Sequence, residues 1–179
     1  MIYTIGHSTH PAGELVALLR ENGVELLVDV RTVPRSRMNP QFNKETLPDT
    51  LRGAGIAYQH MPVLGGLRHR PKDAPPSPNG LWKSEAFQAY ADYALTSPFR
   101  TGLDELRRLG RARVAAIMCA EAVWWRCHRR IVADYLLTAG EDVRHIMGPG
   151  KVEPARLTEG AAPQPDGTIL YPAAQGVLL

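Results

Sequence analysis

Val114-Ala-Ala-Ile-Met-Cys119-Ala-Glu121, followed by Cys127-His128-Arg129-Arg130, is the stretch that organises this chain. An apolar run bounded by polar residues is the mark of a strand buried on both faces, and such strands belong to parallel sheets covered by helices. The run ends in a thiol and, two residues later, a carboxylate. Side chains at the carboxyl ends of parallel strands open into a shared crevice, which is where an α/β protein builds its sites. Both cysteines of the chain fall within this stretch.

Working outward, the same grammar repeats. Met1-Ile-Tyr-Thr-Ile5 reads as a short strand ending at Gly6-His7-Ser8, with Thr9 as a helix cap, Pro11 in the first turn, and Leu15, Leu18 and Leu19 on the apolar face up to Asn22-Gly23. Val24-Glu-Leu-Leu-Val-Asp29-Val30 is a second buried-type strand, followed by a polar loop from Arg31 to Gln41 and a helix predicted over Asn43 to Ala54. Ile56 to Met61 is a third strand. From Pro62 to Gly80 runs a long loop with Gly65-Gly66, a basic stretch and Pro75-Pro76-Ser77-Pro78, of a length that suits a lid. Helices are predicted from Ser84 through Ala94, from Phe99 to Leu109 and from Trp125 to Thr138, with Val143 to Met147 as the last parallel strand. This alternation predicts a single α/β domain over residues 1–150, with a mostly parallel sheet and helices on both faces. Residues 151–179 are expected to form a loosely ordered extension or a short hairpin about Pro165-Asp166-Gly167.

The bulk numbers agree. With 179 residues and 44% hydrophobic content the chain supports one ordinary core, and it contains no apolar run long enough for a membrane span and no signal-peptide pattern at its start. A cytoplasmic protein without a membrane partner is expected. Two cysteines do not make a disulfide framework. A net charge of +3 is only mildly basic, but the arginines crowd at Arg31, Arg35 and Arg37, at Arg68 and Arg70, and at Arg126, Arg129 and Arg130. Clusters of that kind after strands suit an anionic ligand, because the guanidinium fork matches phosphate or carboxylate. Arg107, Arg108, Arg111 and Arg113 read as surface charge.

Three constellations carry chemistry. Gly6-His7-Ser8 joins a strand end to a helix start, where a backbone can approach a ligand and the helix N-terminus attracts anions; the alternative is a structural turn. Asp29 and Arg31 lie two apart at a strand end, either as a brace between strand and loop or as an orienting carboxylate with Arg31 and Arg35 holding an anion. Cys119 and Glu121 are likewise two apart, and a nearby helix start with Arg126 and Arg129 would favour a thiolate. Cys119 as a small hydrophobe closing a core strand is the plainer reading. A zinc or iron site drawing on Cys119, Cys127, His128 and His7 is the lesser possibility, since seven residues separate the cysteines and adjacent helical residues project about 100° apart. Trp82, Trp124 and Trp125 offer base stacking or core cover. His60 and His145 are expected to be structural.

Taken in order, Thr4-Ile-Gly-His-Ser8, Asp29-Val-Arg31 with Pro34 and Ser36 after it, Phe42, Leu64-Gly-Gly66, Met118-Cys-Ala-Glu121 and Cys127-His-Arg129 resemble one prokaryotic family, the domain-of-unknown-function family 488. The resemblance runs from about Ile2 to Ile146. It implies a small α/β domain, supplies no settled activity, and singles out these same strand-end residues as a shared set. Trp124 stands where relatives often carry proline.

These readings converge on an enzyme acting on a phosphate-bearing substrate, a nucleotide or nucleic acid. Cys119 or Glu121 would serve as nucleophile or general base, His7 and Asp29 would assist proton transfer, and Ser8, Arg31, Arg35, Cys127, His128 and Arg129 would line the substrate. No Gly-x-x-x-x-Gly-Lys or Gly-x-Gly-x-x-Gly stretch is present, which disfavours a P-loop ATPase or a bound dinucleotide. The alternatives are a nucleic-acid-binding module without catalysis and a metal-binding Cys/His protein.

Overall fold

The structure, a computed structural model, describes residues 1–174. In chain order it comprises β1 (Ile2–Gly6), α1 (Ala12–Glu21), β2 (Leu26–Asp29), α2 (Leu47–Gly53), β3 (Ala57–His60), α3 (Glu85–Ala94), α4 (Ser97–Ala112), β4 (Ala115–Cys119), α5 (Arg129–Thr138), β5 (Val143–Gly148), β6 (Lys151–Pro154), β7 (Ala162–Pro163) and β8 (Ile169–Leu170). The main sheet has six strands in the order β3-β2-β4-β1-β5-β6. All neighbours are parallel except β5 and β6, which form an antiparallel hairpin. The α/β class and the mostly parallel sheet are as the alternation of elements predicts.

Strand parity divides the core in two, because successive side chains of a strand face opposite ways. Ile2, Val28, Ala115, Ile117 and Cys119 face the layer of α3, α4 and α5, where Phe99, Leu106, Ile131 and Leu136 are fully buried. Tyr3, Ile5, Leu27, Ala116 and Met118 face α1 and α2, against Leu15, Leu19, Leu47 and Leu51. The chain leaves β1 towards α1 on one face and leaves β4 towards α5 on the other. Adjacent parallel strands whose connections depart to opposite faces open a crevice between their carboxyl ends. Here that crevice lies between Gly6-His7 and Cys119-Glu121.

Helix boundaries depart from expectation at two sites that matter. Residues Pro40–Phe42 form a separate 3-10 turn and α2 begins only at Leu47. The helix predicted from Trp125 is broken: Trp124–Arg126 is a 3-10 turn, Cys127 is extended (φ −127°, ψ 149°), and α5 starts at Arg129. Trp124 stacks on His145 at 4.3 Å between ring centroids, and His145 meets Thr4 Oγ1 at 2.8 Å, so this turn is packed against β5 and β1.

The stretch after Gly150 contributes β6 to the main sheet, and the hairpin expected there forms between β7 and β8. Its last described part is held tightly: Tyr171 is fully buried and donates its hydroxyl to Asp134 Oδ2 at 2.9 Å. The loop from Pro62 to Gly80 is also pinned. Arg68 donates to the carbonyls of Pro62, Val63 and Gly65 and lies over the Tyr93 ring, Arg70 pairs with Asp92, and Asn79 bridges Asp92 and the Tyr171 amide. Among the described residues, no helix is long and apolar enough to cross a membrane.

Candidate functional site

The residues singled out in the sequence gather at the carboxyl edge of the sheet, but they form two clusters on its two faces. The first lies on the α1–α2 side. Asp29 is completely buried and is saturated with donors: Oδ1 accepts from the Arg31 amide (3.1 Å) and Arg31 Nε (2.8 Å), and Oδ2 accepts from Arg31 Nη2 (2.6 Å) and the Tyr58 hydroxyl (2.8 Å). Arg31 Nη2 also donates to the carbonyl of Phe42 at 2.6 Å. His7 stacks on Phe42, with centroids 4.2 Å apart. Its Nδ1 faces the Ser8 carbonyl at 2.7 Å; a carbonyl only accepts, so the ring proton sits on Nδ1 and Nε2 accepts from Arg31 Nη1 at 3.1 Å. Burial, working against the Ser8 carbonyl and helped by the Arg31 charge, lowers the pKa of His7 to about 4. His7 is therefore neutral at pH 7 with both ring nitrogens engaged. His60 closes the cluster through Nε2 to the Arg31 carbonyl at 2.8 Å.

The backbone that carries His7 is constrained by its neighbour. His7 and Ser8 continue the pairing of β1 with β4 by donating to the carbonyls of Cys119 and Ala120, each at 3.0 Å. Ser8 sits in the left-handed region at φ 49°, a strained conformation for a side chain of its kind. Gly6 has no alternative: a Cβ there would lie 1.9 Å from the carbonyl oxygen of Glu121.

The second cluster lies on the α3–α5 side. Because Cys127 is extended rather than helical, its side chain swings back to β4, and its Sγ lies 2.7 Å from Cys119 Sγ. The spacing argument made from the sequence against a metal site shared by the two cysteines assumed a helix through Cys127, and the 3-10 turn removes it. Both cysteines are free thiols and buried. Cys127 Sγ also accepts from the Arg129 amide at 3.5 Å and from Arg129 Nε at 3.3 Å, and His128 Nδ1 lies 3.5 Å away. Arg129 is 1% exposed and its Nη2 donates to the main-chain carbonyl of Glu121.

The two thiols are pushed apart electrostatically. Burial opposes ionisation of Cys127, yet the hydrogen bond from Cys119, the His128 ring and the Arg129 charge outweigh it and hold its pKa well below the ordinary thiol value. The hydrogen bond to Cys127, then burial, raises that of Cys119 far above it. Within this coupled pair the surroundings favour ionisation at Cys127 over Cys119.

His128 is oriented by a carbonyl as well. Its Nε2 donates to the Val30 carbonyl at 3.2 Å, which holds the ring with Nδ1 facing the sulfurs. Gly66 makes room for this ring, since a Cβ at that position would meet His128 Nδ1 at 2.4 Å. Cys119 Sγ, Cys127 Sγ and His128 Nδ1 lie within 4.8 Å of one another, and these donor types suit a soft cation such as zinc or iron.

Two adjoining chambers open over these clusters. One, of about 320 Å³, is lined by Cys119, Cys127, His128, Gly66, Leu67, Phe87, Tyr90 and Arg126. The other, of about 290 Å³, is lined by His7, Ser8, Thr9, Arg35, Ser36 and Asn39. Arg31, Val33, Ala120 and Glu121 border both. Glu121 is exposed and lies beyond the end of β4, at the rim of the chamber that the buried Cys119 also lines. Arg35 is exposed and makes no ion pair among the described residues.

Sequence reasoning missed Tyr58, Phe87 and Tyr90, and Gly66 entered it only within the Leu64-Gly-Gly66 motif. Gly66 carried a signal in its Gly-Gly pair; the aromatic residues read only as helix or strand filler. Trp82 and Trp124 are packed within the protein, Trp82 against Phe87, while Trp125 remains exposed. No curated protein and no solved structure matches the chain. The family model described as "Domain of unknown function DUF488" matches residues 11–136, well over half of the chain, and the protein therefore belongs to that family.

Proposed function

We propose that the protein is an enzyme that uses Cys127 as a thiolate nucleophile on a phosphate-bearing substrate of nucleotide or nucleic-acid type. The observation that carries the reading is the setting of Cys127 Sγ: two donors from Arg129, a thiol partner 2.7 Å away, and a position on the wall of an open chamber. A thiolate at the start of a helix beside a buried guanidinium is the arrangement that activates cysteine. In this reading Phe87 and Tyr90 take the flat, apolar part of the substrate. Its phosphate enters the second chamber, where Arg35 supplies the cationic group and Ser8 and Ser36 line the wall with hydroxyls. Arg126 lines the first chamber and carries the remaining charge.

The roles expected from the sequence shift accordingly. Cys119 becomes the proton donor to Cys127 rather than the nucleophile. Arg31, Asp29 and His7 brace the floor, with their hydrogen-bonding groups already engaged, and Glu121 stays at the rim as the free carboxylate. The test is protection of Cys127 from alkylation. Adenosine monophosphate or a short single-stranded oligonucleotide is expected to slow iodoacetamide labelling of Cys127, and Arg35→Ala to remove the protection. Unchanged labelling with either ligand at millimolar concentration would set the reading aside.

A second reading has its own observation. The approach of Cys119 Sγ, Cys127 Sγ and His128 Nδ1 to within 4.8 Å supports three-ligand binding of a soft metal with one open position. Elemental analysis of protein purified without chelator decides between the two: stoichiometric zinc or iron lost in Cys127→Ser supports the metal, and its absence leaves the thiolate free to react.

A further inference from the structure

We infer that Cys127 and Cys119 form a peroxide-responsive dithiol, with Cys127 as the residue oxidised first and Cys119 as the thiol that resolves it into a reversible disulfide. The inference rests on the reading of Cys127 as the reactive thiolate and adds regulation of that same site by oxidants; it does not depend on the substrate.

Four observations support it. The sulfurs lie 2.7 Å apart, so a bond needs each to move by less than about 1 Å. Cys127 precedes α5 on an extended backbone and Cys119 ends β4, so the turn of residues 120–126 already sets the two thiols facing each other and neither β4 nor α5 has to move for them to meet. Both sulfurs line a chamber of about 320 Å³, which admits a molecule as small as hydrogen peroxide. Arg129 donates to Cys127 Sγ through both Nε and its amide, and Cys127 stands just ahead of the N-terminus of α5 while Cys119 ends a strand, which makes the pair asymmetric: one attacks and one resolves.

The chemistry balances with hydrogen peroxide as the only oxidant. The Cys127 thiolate attacks one peroxide oxygen; an S–O bond forms, the O–O bond breaks, and the departing hydroxide takes a proton to become water. Cys127 is now a sulfenic acid, oxidised by two electrons. The Cys119 sulfur then attacks Cys127 Sγ; the S–S bond forms, the S–O bond breaks, and the hydroxide leaves with the Cys119 proton as a second water. Two thiols and one peroxide give one disulfide and two waters. In the oxidised form the buried Arg129 guanidinium loses its anionic acceptor and keeps only the Glu121 carbonyl, so the reduced form is favoured and an external dithiol restores it.

The chain has only these two cysteines, which makes the readout clean. After metal removal by a chelator, full-length protein is treated with hydrogen peroxide, quenched with N-ethylmaleimide and weighed intact. The expected result is a monomer lighter by about two hydrogens that takes up no maleimide and regains two adducts after dithiothreitol. In Cys119→Ser, dimedone is expected to trap a sulfenic acid on Cys127; in Cys127→Ser, Cys119 is expected to stay reduced under the same exposure. Two maleimide adducts after peroxide, a disulfide only between chains, or equal oxidation of the two variants overturns the inference. Disulfide formation without ligand protection of Cys127 defeats the proposed function alone, and ligand protection without a disulfide defeats this inference alone.

Discussion

On one face of the sheet Arg31 meets Asp29, and on the other Arg129 meets Cys127; the two pairs stand at neighbouring strand ends, yet one is closed and the other is poised. Asp29 takes four hydrogen bonds, is wholly buried, and leaves no lone pair directed at either chamber. Cys127 takes its donors from Arg129, which does not line the chamber, and itself stands on the chamber wall. A carboxylate so enclosed can only hold things in place. A thiolate held in the same way keeps its nucleophilicity, because polarizable sulfur accepts weak, long hydrogen bonds and is still available to an electrophile. The lesson is that similar ion pairs at one sheet edge divide labour: the α1–α2 side fixes the geometry and the α3–α5 side carries the reactivity.

Perturbing the braced side should therefore cost stability and leave thiol reactivity per folded molecule unchanged. Asp29→Ala strands the buried Arg31 guanidinium and is expected to destabilise the fold by about 3–5 kcal/mol, read from urea denaturation. If it instead alters the alkylation rate of Cys127 with little loss of stability, the division fails.

Acid is the next largest lever. His7 and His145 both have their pKa lowered by burial from 6.5 to about 4. Between those values the unfolded chain binds more protons than the folded one. The stabilisation is thus fully present above pH 6.5 and is lost as pH falls towards 4, by up to about 3 kcal/mol for each histidine. Urea midpoints measured from pH 7.5 to 4.5 are expected to fall steeply below 6.5, and His7→Asn to make the slope shallower. A flat profile would mean that the histidines are solvated.

How much of this contrast was legible beforehand turns on particular residues. The strands β1, β2 and β4 and the polar residues that end them follow from apolar runs and could be read directly. That His7, Asp29 and Arg31 lie on one face and Cys119 on the other depends on strand order and relative parity, which no single run contains. The contact between Cys127 and Cys119 depends on one backbone conformation: a helix through Trp125 places the thiols apart, and the 3-10 turn that ends at an extended Cys127 brings them together. Trp124 supplies a physical reason, since its stacking on His145 pulls this turn onto the sheet. Tyr58, at a strand position of ordinary appearance, became part of the brace only once β3 was seen beside β2.

Smaller changes sharpen the boundary between the regions. Gly66→Ala pushes against the His128 ring and is expected to cost about 1–3 kcal/mol while slowing Cys127 alkylation, because the ring is displaced from the thiolate. Tyr58→Phe removes one of four donors to Asp29 and is expected to cost about 1 kcal/mol with no change in alkylation. An effect of Tyr58→Phe on the thiol would show that the two faces are coupled.

The central claim is that Cys127, and not Cys119, is the thiolate, and the pH profile of alkylation tests it most directly. Iodoacetamide labelling is followed from pH 4 to 10 in Cys119→Ser, Cys127→Ser and Cys119→Ser with Arg129→Met. The account predicts fast labelling of Cys127 with a midpoint well below the ordinary thiol value, a midpoint that rises when Arg129 is lost, and slow labelling of Cys119 at every pH below 9. Faster labelling of Cys119 than of Cys127, or a Cys127 midpoint at the ordinary thiol value that ignores Arg129, would contradict it.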